Sequence, residues 1–237
     1  MDGILNICKP KGISSFKALA IAKGRIAKEL GIPSRRLKVG HLGTLDPAAV
    51  GVLILLVGKA CKLNQQLSGG LKTYRFVMTT GVETPSLDSE TEITATSTVI
   101  PTHKQIEEIL SSMVGEIEIE VPKFSAVHIN GERAYELARK GINFTPPKKV
   151  VTINRFELLK DTEYLDLHRT EPLGKYEFYF EVECQTGTYI RSLAKLLAQR
   201  LETLAIASTI IRTRVGDFDI KEAKKLDDVT TKDIIPV

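Results

Sequence analysis

Between Ala48 and Gly58 the sequence reads AAVGVLILLVG, eleven residues without one polar side chain. A run that is apolar at every position has no outward face, so it is covered on all sides as a central strand or a buried helix. It falls well short of the ~20 residues that a membrane-spanning helix needs. It is therefore the interior element of a soluble chain. The 237 residues around it suffice for one large domain or two small ones, with no need of disulfide or metal staples. Immediately upstream, residues 31–48 hold Gly31, Pro33, Gly40, Gly43 and Pro47, too many breakers for a regular element. A polar, glycine-rich loop is thus set against a rigid hydrophobic support.

The remaining segments mix strands and helices. Residues 3–8 read as a short strand stopped by the Lys9-Pro10-Lys11-Gly12 turn. Ser14 and Ser15 can cap a helix running to about residue 29, with Phe16, Leu19, Ile21, Ile26 and Leu30 as an approximate apolar face and Lys17, Lys23, Arg25 and Lys28 outside. Residues 72–81 suit a strand, 83–92 an acidic loop, and 102–114 a short helix. From Glu116 to Val121 charged and apolar residues alternate, as in a half-buried strand ending at Pro122. Residues 122–147, rich in Lys, Arg and aromatics, resemble an excursion from a sheet, with a helical stretch from Tyr135 to Lys140. Residues 150–159 and 176–184 are strand-like, the latter alternating Tyr176, Phe178, Phe180 and Val182; 189–201 is an amphipathic helix, and 209–215 a further strand. Without regular βαβ alternation, the expected class is α+β with a largely antiparallel sheet.

The net charge of +4 conceals a segregation. Residues 1–70 carry eleven Lys or Arg against three acids, net +8; residues 71–120 are net −6, 121–160 net +5, and 161–237 net −3. Such asymmetry favours a nucleic-acid partner if the two basic windows share a surface; otherwise the windows are solvated faces. Cys8, Cys61 and Cys184 stand far apart and in no CxxC pair, and the N-terminus has no signal-peptide pattern. A reducing, cytoplasmic compartment fits. His41, His103, His128 and His168 lack metal-ligand spacing, so no metal is expected. GxGxxG, GxxxxGK[ST], HExxH and GxSxG are all absent, so any chemistry comes from scattered polar side chains.

One carboxylate draws attention. Asp46 precedes a proline, in a loop whose glycines allow close backbone approach, directly ahead of the apolar run. It could serve as a nucleophile or general base, or simply as a turn residue or helix cap.

The segment GHLGTLDPAAVGVL, with KPKGISS upstream, resembles the signature regions of the bacterial tRNA pseudouridine-55 synthase (TruB) family. Lys72, Tyr74 and Gly81 resemble its second motif, and Thr84, Ser86 and Asp88 its third. Pro122-Lys123-Phe124-Ser125-Ala126-Val127 with Gly131, Arg133, Ala134, Tyr135, Ala138, Arg139 and Gly141 resembles its RNA-gripping thumb. Gly187-Thr188-Tyr189-Ile190-Arg191-Ser192-Leu193 and Arg212-Thr213-Arg214-Val215-Gly216 resemble its last two blocks.

The resemblance implies a pseudouridine synthase fold: a central mixed, mostly antiparallel sheet flanked by helices, forming one catalytic domain over 1–237 with a thumb insertion at 122–147. It implies isomerisation of uridine at position 55 of the tRNA T-loop, after the base is flipped out at a cost of a few kcal/mol. The reaction detaches uracil from ribose and rejoins it through carbon, so no cofactor is expected. Asp46 would be the essential carboxylate, attacking C1′ or C6 or removing a ribose proton; every route requires it ionised, which a nearby cation favours. Arg191 would pair with it, and Tyr189 would handle the C5 proton. Taken as unassigned residues, Arg191 reads as a surface ion-pair partner, though it stands at the start of the helix beside Tyr189, and Tyr189 and Tyr74 read as core tyrosines. The resemblance places Tyr74 against the flipped base, His41 in the stacking space the base leaves, Ile210 in the uracil pocket, Lys9 in support of the loop, and Gly43, Thr44 and Asp88 at the substrate. Lys123, Arg133, Arg139 and Lys140 would grip RNA from the thumb.

The sequence departs from the family at Ile210 (usually Leu), His128 (usually Lys) and Thr91 (usually Gly). It also stops at Val237, twenty-one residues past Gly216, so a C-terminal PUA-type domain is not expected. The partner implied is the tRNA T-arm, bound by a monomer with no membrane or metal. A tRNA-binding or folding chaperone with little catalysis is the alternative; it would need basic residues but not Asp46. A glycoside hydrolase would need a second catalytic carboxylate, with Asp88 as candidate.

Overall fold

A computed structural model describes residues 1–159 and 175–237. His168 lies outside the described residues. In chain order the elements used below are β1 (Gly3–Lys9), α1 (Ser15–Glu29), β2 (Val39–Leu42), β3 (Val50–Val57), α2 (Asn64–Leu67), β4 (Lys72–Thr80), β5 (Val82–Glu83), β6 (Ala95–Thr96), α3 (His103–Leu110), β7 (Gly115–Glu120), β8 (His128–Ile129), β9 (Glu132–Arg133), α4 (Ala134–Arg139), β10 (Lys148–Leu159), β11 (Glu177–Cys184), α5 (Ile190–Arg200) and β12 (Ala205–Val215). Three short strands follow, β13 (Phe218–Asp219), β14 (Lys224–Lys225) and β15 (Ile235–Pro236). The chain divides into two compact units, Met1–Tyr74 with Ile211–Val237, and Arg75–Ile210.

In the first unit the apolar run becomes β3, all eight residues buried. Leu53, Leu55 and Val57 pack with Leu5, Ile7 and the inner face of α1, while Val52, Ile54 and Leu56 pack with Leu42, Ala60 and Val215 on the other face. Two covered faces account for the absence of alternation. β1 pairs antiparallel with β3 from Gly3↔Val57 to Lys9↔Gly51. The opposite edge of β3 takes β2 antiparallel, Val39↔Val57 to Leu42↔Ile54, and β12 parallel at Ile211↔Val50 and Arg212↔Gly51. Gly51 has φ +112°, and a Cβ there would meet the Arg212 carbonyl oxygen at 2.2 Å; glycine is what lets the strands approach.

Two expectations do not hold in this unit. The breaker-rich 31–48 segment contains regular structure, a turn of 3-10 helix at Ser34–Arg36 and then β2; pairing with β3 supplies the hydrogen bonds that local propensity does not. The buried face of α1 is Ser15, Ala18, Leu19, Ala22, Ile26 and Ala27, whereas Phe16 is 74% exposed and Leu30 36%. Small alanines bring the helix close to the sheet and turn the larger Phe16 outward. Ser14 caps the helix as its spacing indicates, its hydroxyl accepting from the Lys17 amide at 3.1 Å.

In the second unit β10 pairs antiparallel with β11, from Ile153↔Cys184 to Leu159↔Tyr179, and with β7, from Lys148↔Glu120 to Ile153↔Gly115. In β7, Ile117 and Ile119 point inward and Glu116, Glu118 and Glu120 outward, the alternation read from sequence. β11 differs from its pattern: Phe178, Tyr179, Phe180, Glu181 and Val182 are all buried, and Tyr176 lies outside, 47% exposed. Both faces of that strand are covered. Phe76, Phe156 and Phe180 form its aromatic core, with ring centroids 5.1–6.0 Å apart. Glu181 carries charge into this layer, bound by Arg75 Nε at 2.6 Å and by Arg155. β12 starts at Ala205, four residues before the segment anticipated from sequence.

Candidate active site and RNA-binding elements

In the first unit the Asp46 loop is held by backbone contacts on both sides of the aspartate. Ser15 Oγ donates to the Leu45 carbonyl and accepts from the Leu45 amide, both at 2.8 Å. The Gly12 amide donates to the Pro47 carbonyl at 2.8 Å. Lys9, fully buried, directs its ammonium at the carbonyls of Pro10 and Ile13 (2.8 Å each) and Pro47 (3.3 Å). A buried ammonium needs such acceptors to offset its missing hydration. The KPKGISS stretch thus serves as a clamp on Leu45 and Pro47, while Asp46 is only half-buried.

Arg212, 1% exposed, anchors the start of the loop. Its Nη2 donates to the Gly43 carbonyl at 2.9 Å and its Nε to the Val52 carbonyl at 2.8 Å. Gly43 has φ +68°, and a Cβ there would lie 3.3 Å from Lys72 Cε and 3.4 Å from Arg212 Nη1. Gly43 and Thr44 are exposed, and Lys72 and Tyr74 buried. His41 is half-buried, with Nδ1 enclosed and without a hydrogen-bond partner. Burial, and then the Arg212 charge, hold the imidazole pKa below its ordinary value. A neutral ring at neutral pH follows.

In the second unit Tyr189 is the N-cap residue of α5 and is half-buried. Arg191, in the first turn, is 3% exposed. The surface ion pair that a helix arginine would ordinarily make is therefore not its role. Its Nη1 donates to the Ser86 carbonyl at 2.7 Å and its Nη2 to the Phe124 carbonyl at 3.0 Å, and Nε lies 3.7 Å from Asp88 Oδ2. One guanidinium therefore joins the third motif to the start of the thumb segment. Asp88, 2% exposed, is not the solvent-facing acid its window suggests. Its Oδ1 accepts from Ser86 Oγ at 2.5 Å and from the Glu90 amide at 2.9 Å. Thr91, where the family usually has glycine, accepts from the Ser86 amide at 3.1 Å, so its hydroxyl helps close the same loop. Leu87 within it takes φ +62°, a strained value for a branched residue.

The thumb segment contains the hairpin β8–β9 and then α4. Asn130 (φ +51°) and Gly131 (φ +90°) form its turn. An Asn-Gly pair is the usual sequence signal for such a turn, and HINGER, residues 128–133, carries it in a stretch read only as an excursion from the sheet. Lys123, Arg133, Arg139 and Lys140 are all exposed. Lys140 is already paired with Glu132 at 2.7 Å, and Arg139 lies over the Tyr135 ring, 5.5 Å from its centroid. Ile210 is buried in β12. Ser15 and Arg212, the loop anchors, are not among the site residues expected from sequence; the signal available for Arg212 is a cation directly following the two isoleucines of IIRTRV. Among the described residues no His, Cys, Asp and Glu grouping could hold a metal, and no helix is long and apolar enough to cross a membrane.

The profile of the TruB family pseudouridylate synthase N-terminal domain matches residues 31–190. The tRNA pseudouridine synthase B of Geobacillus thermodenitrificans is 39% identical over 232 residues, covering 97% of this chain and 72% of that protein. That of Bacteroides thetaiotaomicron is 40% identical over 220 residues, 92% of this chain and 88% of that protein. Among solved structures, a chain of a Cbf5-Nop10-Gar1 complex superposes with a TM-score of 0.65 at 26% identity, over 95% of this chain and 53% of that one. The present chain thus spans about half the length of that structural neighbour. The motifs, the fold and these matches agree: the chain belongs to the TruB family of pseudouridylate synthases.

Proposed function

We propose that the protein converts uridine to pseudouridine in tRNA, at position 55 of the T-loop, with Asp46 as the essential carboxylate. The observation that carries this reading is the clamp on the Asp46 loop. Leu45 and Pro47 are fixed through their backbones by Ser15, Gly12 and Lys9, while Asp46 itself keeps solvent access. A turn residue or helix cap needs no such support, and a catalytic carboxylate does.

The reaction is an isomerisation. The N1–C1′ bond breaks, the C5–C1′ bond forms, C5 gives up a proton and N1 gains one. Atoms balance without an oxidant, reductant or cofactor. Asp46, ionised, acts at C1′, at C6 or on a ribose proton; in each case its carboxylate is held by the loop and not by a bound group. Tyr189 is the acid/base candidate for the C5 proton, and Arg191 the cation that supports the carboxylate's charge. Neutral His41 and Tyr74 offer flat surfaces to the extruded base and the place it leaves. The substrate is an RNA loop gripped by Lys123, Arg133, Arg139 and Lys140 of the thumb, in a monomeric, cytoplasmic enzyme.

The test is incubation with an unmodified tRNA transcript, with release of the C5 hydrogen and the position of pseudouridine as readouts. Product at T-loop position 55 with the wild type, and none with Asp46→Asn, is expected. Equal product with the variant removes Asp46 from the mechanism. Retained tRNA binding with no product from either protein favours the chaperone reading.

A further inference from the structure

The charge segregation follows the two units. The first holds eighteen Lys or Arg against nine acids, net +9, and the second fifteen against twenty, net −5. In the second unit much of the positive charge is locally neutralised: Lys140 by Glu132, Lys148 by Glu118, and Lys195 by Glu120, at 2.7–3.0 Å. The first unit differs along α1 and the turn that follows it. Among the described residues, Lys17, Lys23, Lys28, Arg35 and Arg36 lie within ion-pair distance of no carboxylate.

Geometry groups these cations. Lys17 and Lys28 are eleven residues apart on α1, three helical turns, and so share one exposed line about 16 Å long. Lys23, seven residues after Phe16, lies on the same side as that ring. The Ser34–Arg36 turn continues from the C-terminal end of α1, tied there by the Ile32 amide to the Ala27 carbonyl at 3.0 Å and by Leu37 in the cluster around Ile26. The acid on α1, Glu29, is engaged by the Thr231 amide and hydroxyl, both at 2.7 Å.

Two features go against folding stability. Lys17 sits in the first turn of α1, which holds no acidic residue, although the helix dipole favours an acid there. Phe16 is 74% exposed, where a polar residue would serve the fold equally well. Unpaired cations beside an exposed aromatic ring match a nucleic-acid strand, with phosphates for the cations and a base for the ring.

We infer that the Lys17–Lys28 line of α1 with Arg35 and Arg36, and the adjoining Phe16–Lys23 stripe about a third of a turn round the helix, form a second RNA-contact surface, distinct from the thumb and from the residues set against the target uridine. The inference rests on the tRNA reading above and names RNA backbone, with one stacked base, as the occupant.

The experiment is tRNA binding measured from low to high salt. Removing one cation that neutralises a phosphate makes the slope of log K against log[salt] shallower by about 1. Lys17→Gln/Lys28→Gln/Arg35→Gln/Arg36→Gln is expected to reduce the slope by roughly 3 to 4. The pair Arg35→Gln/Arg36→Gln, confined to an exposed turn, should reduce it by about 2 should the fourfold variant fail to fold. Phe16→Ala is expected to weaken binding about fivefold or more with the slope intact. The control Lys221→Gln/Lys225→Gln, two exposed cations elsewhere in the same unit, should behave as wild type. An unchanged slope in the Arg35/Arg36 variant, or an equal reduction in the control, overturns the inference. Because binding is measured apart from turnover, an active enzyme with an unchanged slope refutes this surface alone, and an inactive wild type refutes the activity reading instead.

Discussion

Ser15 Oγ makes two hydrogen bonds to one residue, donating to the Leu45 carbonyl and accepting from the Leu45 amide, each at 2.8 Å. The hydroxyl comes from the first turn of α1 and is 1% exposed. Leu45 directly precedes Asp46, so a single buried hydroxyl fixes the direction in which the carboxylate leaves the backbone.

Ser15→Ala leaves the Leu45 amide and carbonyl buried without this partner, at about 1–3 kcal/mol for each group so stranded. The expected result is a lower melting temperature and a fall in kcat, with tRNA affinity little changed. Ser15→Thr, which keeps the hydroxyl, should recover most of both. A fall in affinity at constant kcat would show that the hydroxyl does not act through the Asp46 loop.

Gly51→Ala places a methyl group 2.2 Å from the Arg212 carbonyl oxygen at φ +112°. The β3–β12 pairing then has to open, and Arg212 with it loses its hold on Gly43. The variant is expected to be insoluble or to melt far below the wild type, by the steric mechanism that produces the largest single-residue effects.

His41 gives the protein a pH-dependent stability with a definite sign. Its folded-state pKa lies below the ordinary 6.5, chiefly through burial. At mildly acidic pH the unfolded chain therefore binds more protons than the folded one. The contribution is complete above pH 6.5 and declines as pH falls from there through the folded value. Denaturant unfolding at about pH 7.5 and about pH 5 should show a smaller loss of stability in His41→Phe than in the wild type.

Glu181 sits between two arginines, within 2.6 Å of Arg75 Nε and in contact with Arg155. Glu181→Gln leaves Arg75 partly buried without its counter-charge and should cost about 3 kcal/mol. Arg155→Gln removes a half-exposed partner and should cost under about 1 kcal/mol. Chemical denaturation of the two variants distinguishes these values.

Strands and helices are legible in the sequence where periodicity is strong. The unbroken run at Val50–Val57, the alternation at Gly115–Glu120 and the Ser14 cap each carry their own geometry. β2 is not legible, because its hydrogen bonds come from β3 and not from local preference. Hydrophobicity alone puts Phe16 on the inner face of α1; the closer packing that Ala18 and Ala22 permit turns it outward. Asp46 can be picked out by its setting, and the family resemblance gives it a role. Of the residues that hold it, Lys9 is anticipated by the family resemblance, whereas Ser15 and Arg212 act through backbone carbonyls and amides, which leave little side-chain pattern to read.

On the proposed reading Asp46 performs the chemistry while other residues hold the RNA. The direct measurement is pseudouridine formed at T-loop position 55 of an unmodified tRNA by wild type and Asp46→Asn, with tRNA affinity measured for both. Stoichiometric conversion by the wild type is expected, with none by Asp46→Asn and equal or tighter binding by the variant, since removing one negative charge does not weaken phosphate contacts. Conversion by Asp46→Asn at the wild-type rate would contradict that reading.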